Sequence, residues 1–169
     1  MIFIQSNVLI NLRIVYRQKI KYHHPIEGEI KMTVKQLSVF IPNKPGQLAQ
    51  FFELLMDNKI FIRSLTVAEN EEFGLLLLLV DQPEKCLNIL EDNNILYSIT
   101  EVVAVELTEN ISQLYNIAKT LGSHGVNIDY LYFLVLNSHK NGIVLKLDDN
   151  EKGIEILTKH GFNLLEDFD

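Results

Sequence analysis

The residues of this chain whose order is suited to chemistry are Pro42-Asn43-Lys44-Pro45-Gly46-Gln47-Leu48. A strand-like run, Gln36 to Ile41, precedes them, and apolar residues at Leu48, Phe51, Phe52, Leu55 and Met56 follow. That i, i+3, i+4, i+7, i+8 spacing is the buried face of a helix. The segment is therefore a tight strand-to-helix turn. Pro45 pre-sets φ for helix entry, and Gly46 lets the backbone come close to a neighbour. The first amides of a helix have no partners within it and point out of the turn as donors for an anion. An ordinary helix start has the same look in isolation, so the rest of the chain must decide.

Other chemistries find little support. His124, His139 and His160 fall at a helix end, a hairpin turn and a helix end, positions where solvated histidines are the expectation. His160, beside Gly161, suits a helix C-terminus. No Ser or Cys stands in a nucleophile motif, and neither a P-loop nor Gly-x-Gly-x-x-Gly occurs. Asp148-Asp149 and Glu166-Asp167 read as a solvated turn and terminus. The single Cys86 makes neither an internal disulfide nor a cysteine-based metal site. Its apolar neighbours suggest a buried thiol in a reducing cytoplasm. The expectation is a chain with no catalytic residue, no metal and no cofactor.

Charge narrows the partners. Residues 1–31 carry five Lys/Arg against two Glu, so of the net charge of −7 the remainder of the chain carries −10. That balance repels phosphate backbones, and nucleic-acid binding by the main body is not expected. Residues 1–31 begin with an apolar stretch interrupted by Gln5, Asn7, Asn11 and Arg13, too short and too polar to span a bilayer. They lack the basic start and small-residue cleavage site of a signal peptide. Two readings remain: a short arm, or untranslated sequence. Glu27-Gly28-Glu29 back-translates to codons that contain a ribosome-binding core, with Ile30 and Lys31 as spacer before Met32. In a prokaryotic source Met32 would then be the true first residue, and mass spectrometry of native protein would settle it. His23-His24 in this segment is a poor metal signal alone.

From Met32 onward the chain repeats itself. Gln47-Leu48 matches Gln113-Leu114, and Leu87-Asn88-Ile89-Leu90 matches Ile154-Glu155-Ile156-Leu157. In the first half, strands are expected over 36–41, 60–68, 73–80 and 96–101, and helices over 47–58 and 84–93. In the second, strands are expected over 102–107, 126–136, 142–147 and 163–168, and helices over 111–123 and 151–160. Each half is thus βαββαβ, an α+β unit of the ferredoxin-like type with an antiparallel sheet under helices on one face. The domains are residues 1–31 as an extension, 32–101 and 102–169. Leu75 to Val80 is an unbroken apolar run, which marks a strand buried on both faces or beside a domain contact. A unit of roughly 65 residues buries little surface alone, so the two halves should pack together.

With this order of elements, the chain resembles the ACT domains, βαββαβ modules that bind amino acids and regulate metabolic enzymes. The resemblance covers about residues 34–168 and looks like a freestanding tandem pair. It rests on Asn43-Lys44-Pro45-Gly46-Gln47-Leu48, similar to the family's Asp/Asn-x-Pro-Gly-x-Leu loop, with Asn58-Lys59-Ile60 after the helix. In the second half it rests on Gly125-Val126-Asn127-Ile128, like the family's Gly-Ile-Asn-Ile. The resemblance implies a free amino acid held between the loop of one unit and the second strand of its neighbour. Gly46, Gln47 and Leu48 would then offer amides to the carboxylate and Asn43 would accept from the ammonium. Lys44 and Pro45 would complete the loop, and Asn127 and Ile128 would close the site. Further partners implied are a second copy or a separate enzyme; no nucleic acid and no membrane are expected. The alternative is a regulatory subunit that stabilises an enzyme while its own pocket is vestigial. An RNA-binding module of the same order needs aromatics and bases on a central strand, and 73–78 has one aromatic and no base. Where Pro45-Gly46 stands in the first half, Ile111-Ser112 stands in the second, after Thr108-Glu109-Asn110. Asn110 and Gln113 have the spacing of a capping box. One good site is expected, not two.

Overall fold

The computed structural model describes residues 32–69, 73–108, 111–137 and 140–166. The readings of residues 1–31, of His23-His24 and His139, of the 70–72 turn, and of Asn110 as a cap lie outside those residues. The described residues form β1 (Val34–Pro42), α1 (Gln47–Asp57), β2 (Ile62–Glu69), β3 (Phe73–Val80), α2 (Pro83–Asp92) and β4 (Leu96–Leu107). They continue as α3 (Ile111–Ser123), β5 (Ile128–Asn137), β6 (Lys140–Leu147), α4 (Asn150–Lys159) and β7 (Leu164–Leu165). Two βαββαβ repeats result, with antiparallel sheets and helices, as the patterning implied.

One difference concerns the join. The expected strands 96–101 and 102–107 are a single strand, β4. Its first part pairs with β1, from Leu96↔Phe40 to Val102↔Val34. Its second part pairs with β6, from Val103↔Leu145 to Leu107↔Asn141, and with β7 at Ala104 and Val105. No break is needed because a period of two continues across the join. Tyr97 packs beneath the first pair of helices, Val103, Val105 and Leu107 beneath the second, and Val102 and Ala104 face the other way.

The strand order is β2-β3-β1-β4-β6-β5, with β7 beside β4. The two end strands, β2 and β5, touch, and the Ser64 hydroxyl donates to the Phe133 carbonyl at 3.0 Å. The sheet therefore curls until its ends meet. Each half has its own core under its helices, around Leu37, Leu55, Leu76, Leu78 and Leu90 in the first and Ile117, Leu121, Ile143, Leu145 and Leu147 in the second. A third core fills the inside of the curl with Val34, Leu77, Leu79, Val102, Ala104, Tyr132, Leu134 and Val144. This explains the apolar run in β3. Leu76 and Leu78 serve the helix side, while Leu77 and Leu79 serve the contact between the halves.

Polar groups enter that third core only in partnership. Gln36 is fully buried; its side-chain amide donates to Tyr130 Oη at 2.8 Å, and its carbonyl accepts from Tyr132 Oη at 2.9 Å. Burial pushes both phenols above their ordinary value, so they stay protonated and remain in the network.

Candidate ligand site

The loop between β1 and α1 is built as its residues dictate. β1 ends at Pro42, which has no amide to donate to a neighbouring strand. The Lys44 amide donates back to the Pro42 carbonyl at 2.9 Å, and the Gln47 amide to the Lys44 carbonyl at 3.2 Å. Gly46 is the N-cap of α1 with φ +85°, a left-handed conformation that glycine adopts without penalty. No side chain caps this helix. Among the described residues no hydrogen bond takes the amides of Gly46, Leu48 and Ala49. Asn43, Lys44, Pro45 and Gly46 are exposed, and Gln47 is half-buried with its side chain donating to Gln50 Oε1 at 3.0 Å. The loop can therefore donate to an anion through Gly46 and Leu48, while the Gln47 amide, expected as a third donor, is already held within the turn.

The matching loop of the second half is closed by its own side chain. The Thr108 amide donates to Gln113 Oε1 at 2.8 Å, and Gln113 Nε2 donates to the Glu106 carbonyl at 3.1 Å. Gln113 thus bends back across the turn, whereas its equivalent Gln47 lies along its helix. Ile111 and Ser112 are exposed.

Asn127 and Ile128 stand at the entry to β5. The Asn127 amide donates to Asp148 Oδ1 at 2.9 Å and its side chain to Asp129 Oδ1 at 3.0 Å. The Ile128 side chain packs against the helix-side core of the second half, so of this pair the exposed group is Asn127. No hydrogen bond among the described residues joins Asn127 or Ile128 to the 43–48 loop. In the first half the equivalent corner is Phe61, whose amide donates to Asp81 Oδ1 at 2.9 Å. Burial works against the Asp81 carboxylate, but bonds from Gln82 and the Phe61 amide, with Arg63 nearby, hold it below the usual range. Beside this corner an open apolar trough of about 530 Å³ runs between Phe52, Leu55, Met56, Lys59, Ile60, Phe61 and Ile62.

Cys86 is buried in the first-half core, and burial pushes its thiol up to about 11. It is therefore an unreactive packing residue at neutral pH. No group of three or more His, Cys, Asp or Glu among the described residues is placed to hold a metal ion. No helix among them is long and apolar enough to cross a membrane. Two features escaped the sequence reading. One is the Gln36–Tyr130–Tyr132 network, signalled only by a Gln inside an apolar strand and two Tyr at i, i+2. The other is that His124 and His160, read singly as helix ends, are neighbours, with ring centroids 5.1 Å apart.

Two tandem ferredoxin-like units sharing a strand, with an open Pro-Gly helix entry, define a class of paired α+β modules. A family model described as an ACT domain pair matches residues 32–169, and the chain belongs to that family. Among solved structures, protein BT0572 from Bacteroides thetaiotaomicron is 34% identical and superposes with a TM-score of 0.74, covering 79% of this chain and 92% of that one. The ligand-free regulatory subunit of aspartate kinase from Thermus thermophilus is 15% identical with a TM-score of 0.52, covering 76% of this chain and 93% of that one. The regulatory subunit from Thermus flavus is 15% identical with a TM-score of 0.50, covering 74% and 90%. At such identities the last two likenesses concern the fold. No curated protein matches the chain.

Proposed function

We propose that this chain is a non-catalytic regulatory protein of the cytoplasm that holds a free amino acid against the 43–48 loop. The ligand's carboxylate meets the amides of Gly46 and Leu48 at the positive end of α1, and Asn43 accepts from its ammonium group. Asn127 contributes from the second half of this chain or of a second copy. The observation that carries the reading is the unused first-turn amides beside a left-handed glycine, against a sister loop that Gln113 closes. A helix N-terminus favours a carboxylate by about 0.3–1 kcal/mol when exposed and up to ~2 when partly buried. A micromolar ligand needs roughly 8 kcal/mol, so a second surface must cover the loop.

One observation favours a second reading in which docking to another protein is the main role. Leu65 and Val67 on β2, with Leu131, Phe133 and Val135 on β5, lie on the helix-side face of strands that touch, and all are exposed. A contiguous apolar strip of this kind marks an interaction surface. In that reading the chain is a subunit that stabilises a separate enzyme. A thermal-shift panel of the twenty amino acids separates the two. Ligand at a hundred times its Kd adds about 2.7 kcal/mol, and Gly46→Asp should abolish the shift. If no amino acid raises the melting temperature, the docking reading stands alone.

A further inference from the structure

His124 and His160 follow α3 and α4, and each is turned the same way. His124 Nδ1 lies 2.7 Å from the Thr120 carbonyl, with Ser123 Oγ at 3.2 Å, and His160 Nδ1 lies 2.8 Å from the Ile156 carbonyl. A carbonyl only accepts, so both Nδ1 atoms carry a proton, and the nitrogen left in each ring to bind a cation is Nε2. A backbone carbonyl on the far nitrogen is the arrangement that orients imidazoles for a metal. The rings stand 5.1 Å apart between centroids, with their planes at 68°. A tetrahedral ion held at ~2.0–2.1 Å by two imidazole nitrogens keeps the ring centres about 5 Å apart. Both side chains are exposed, and each ends a helix whose last carbonyls favour a cation.

We propose that His124 and His160 form a two-imidazole site for a borderline transition-metal dication, of the zinc, nickel or copper class, with water completing the coordination. Imidazole suits these ions, whereas magnesium and calcium require oxygen ligands. The Lys152 ammonium, beside Gly125, opposes the bound charge, so the site discriminates by ligand type and not by local potential. It lies wholly in the second half and is independent of the amino-acid reading.

The first half supplies a control. Its helices end in Asn58 and Asn93, whose side chains donate to the Leu54 and Ile89 carbonyls as the histidines do to theirs. His124→Asn and His160→Asn should therefore keep the helix ends while removing the ligands. In calorimetric titration of the untagged full-length chain with zinc and nickel chlorides, one ion per chain is expected. Each substitution should weaken binding at least tenfold, and His139→Asn or the double change at His23 and His24 should leave it unchanged. Paramagnetic broadening by nickel in the parent chain, centred on the Gly125 and Gly161 amides, gives the same information if a variant fails to fold. Binding that survives both substitutions, binding lost through His23, His24 or His139, broadening centred elsewhere, or no binding of either ion overturns the proposal.

Discussion

The two halves of this molecule are one frame built twice and finished differently. All four described helices end alike. A side chain at the C-cap donates to the carbonyl four residues back, from Asn58, Asn93, His124 or His160. The next residue is left-handed in each case: Lys59, Asn94, Gly125 and Gly161. Asp81 and Asp148 each take the amide of the residue just before the second strand of their half, Phe61 and Asn127. The halves part company at the first helix entry. Pro45-Gly46 leaves amides open, whereas Gln113 closes the turn at Thr108. The frame carries the fold in both copies, and the ligand chemistry proposed above needs it in only one.

The largest expected effect comes from exchanging residues between the two helix-side cores. Cys86 of α2 corresponds to Gly153 of α4, and Val80 at the end of β3 corresponds to Leu147 at the end of β6. A Cβ on Gly153 would sit 2.2 Å from Leu147 Cδ1, so the larger strand residue is accommodated by the smaller helix residue. Gly153→Cys should destabilise by about 1–3 kcal/mol through overpacking. Adding Leu147→Val should recover most of the loss, because residues in contact do not act additively. Urea denaturation of the parent, of Gly153→Cys, of Leu147→Val and of the double variant measures this. Equal stability of Gly153→Cys and the parent would mean the exchange is not a packing exchange.

The seam differs between halves in polarity. Gln36 and Ser38 of the first half correspond to Val102 and Ala104 of the second, and Tyr130 and Tyr132 correspond to Ser64 and Thr66. Each half thus supplies what the other lacks. Tyr132→Phe leaves the Gln36 carbonyl buried without its donor and should lower stability by about 1–3 kcal/mol. Pairing it with Gln36→Leu removes the orphaned carbonyl but also the donor to Tyr130 Oη, so the loss should shrink without vanishing. Denaturation midpoints of the single and double variants decide.

The loops give a smaller change in stability and a larger one in binding. Gly46→Ser places the second half's residue at φ +85°, where no neighbour would meet its Cβ but the backbone is strained. The cost is about 1–2 kcal/mol, and any amino-acid thermal shift should vanish. Ser112→Gly, the reverse exchange, should leave that shift intact and cost about 1 kcal/mol or less. A shift that survives Gly46→Ser but not Ser112→Gly would assign the ligand to the wrong half.

Much of this was legible because the elements obey strong local rules. The β3 bounds and the α3 bounds were those expected, since an unbroken Leu run and a 3.6-residue period admit one reading each. The single β4 was not legible as one strand. Its two parts serve different cores, and only the curl of the sheet shows that the pleat runs through. At the candidate site, the Pro-Gly turn and its open amides followed from Gly46. That the Gln47 amide is used internally did not, because it depends on where the Lys44 carbonyl points. The Gln113 closure was half visible as a capping spacing, and among the described residues Gln113 bonds the Thr108 amide and the Glu106 carbonyl. The pairing of His124 with His160 needed the packing of α3 on α4, which no short spacing encodes.

The smallest expected change has the opposite sign and tests whether the helix ends are interchangeable. Lys59 and Asn94 both have φ +55°, where the second half has glycine. A left-handed lysine is strained by its Cβ, while asparagine tolerates that region through local hydrogen bonding. Glycine relieves the strain but gains entropy in the unfolded chain, which returns about 0.4–1 kcal/mol of the benefit. The Lys59 carbonyl, which accepts from Gln82 Nε2 at 3.2 Å, is kept by any substitution. Lys59→Gly should therefore stabilise by up to about 1 kcal/mol and Asn94→Gly by a few tenths at most. If both changes destabilise, the first-half helix ends owe their geometry to side-chain contacts and not to the shared C-cap, and the two frames are less alike than their hydrogen bonds suggest.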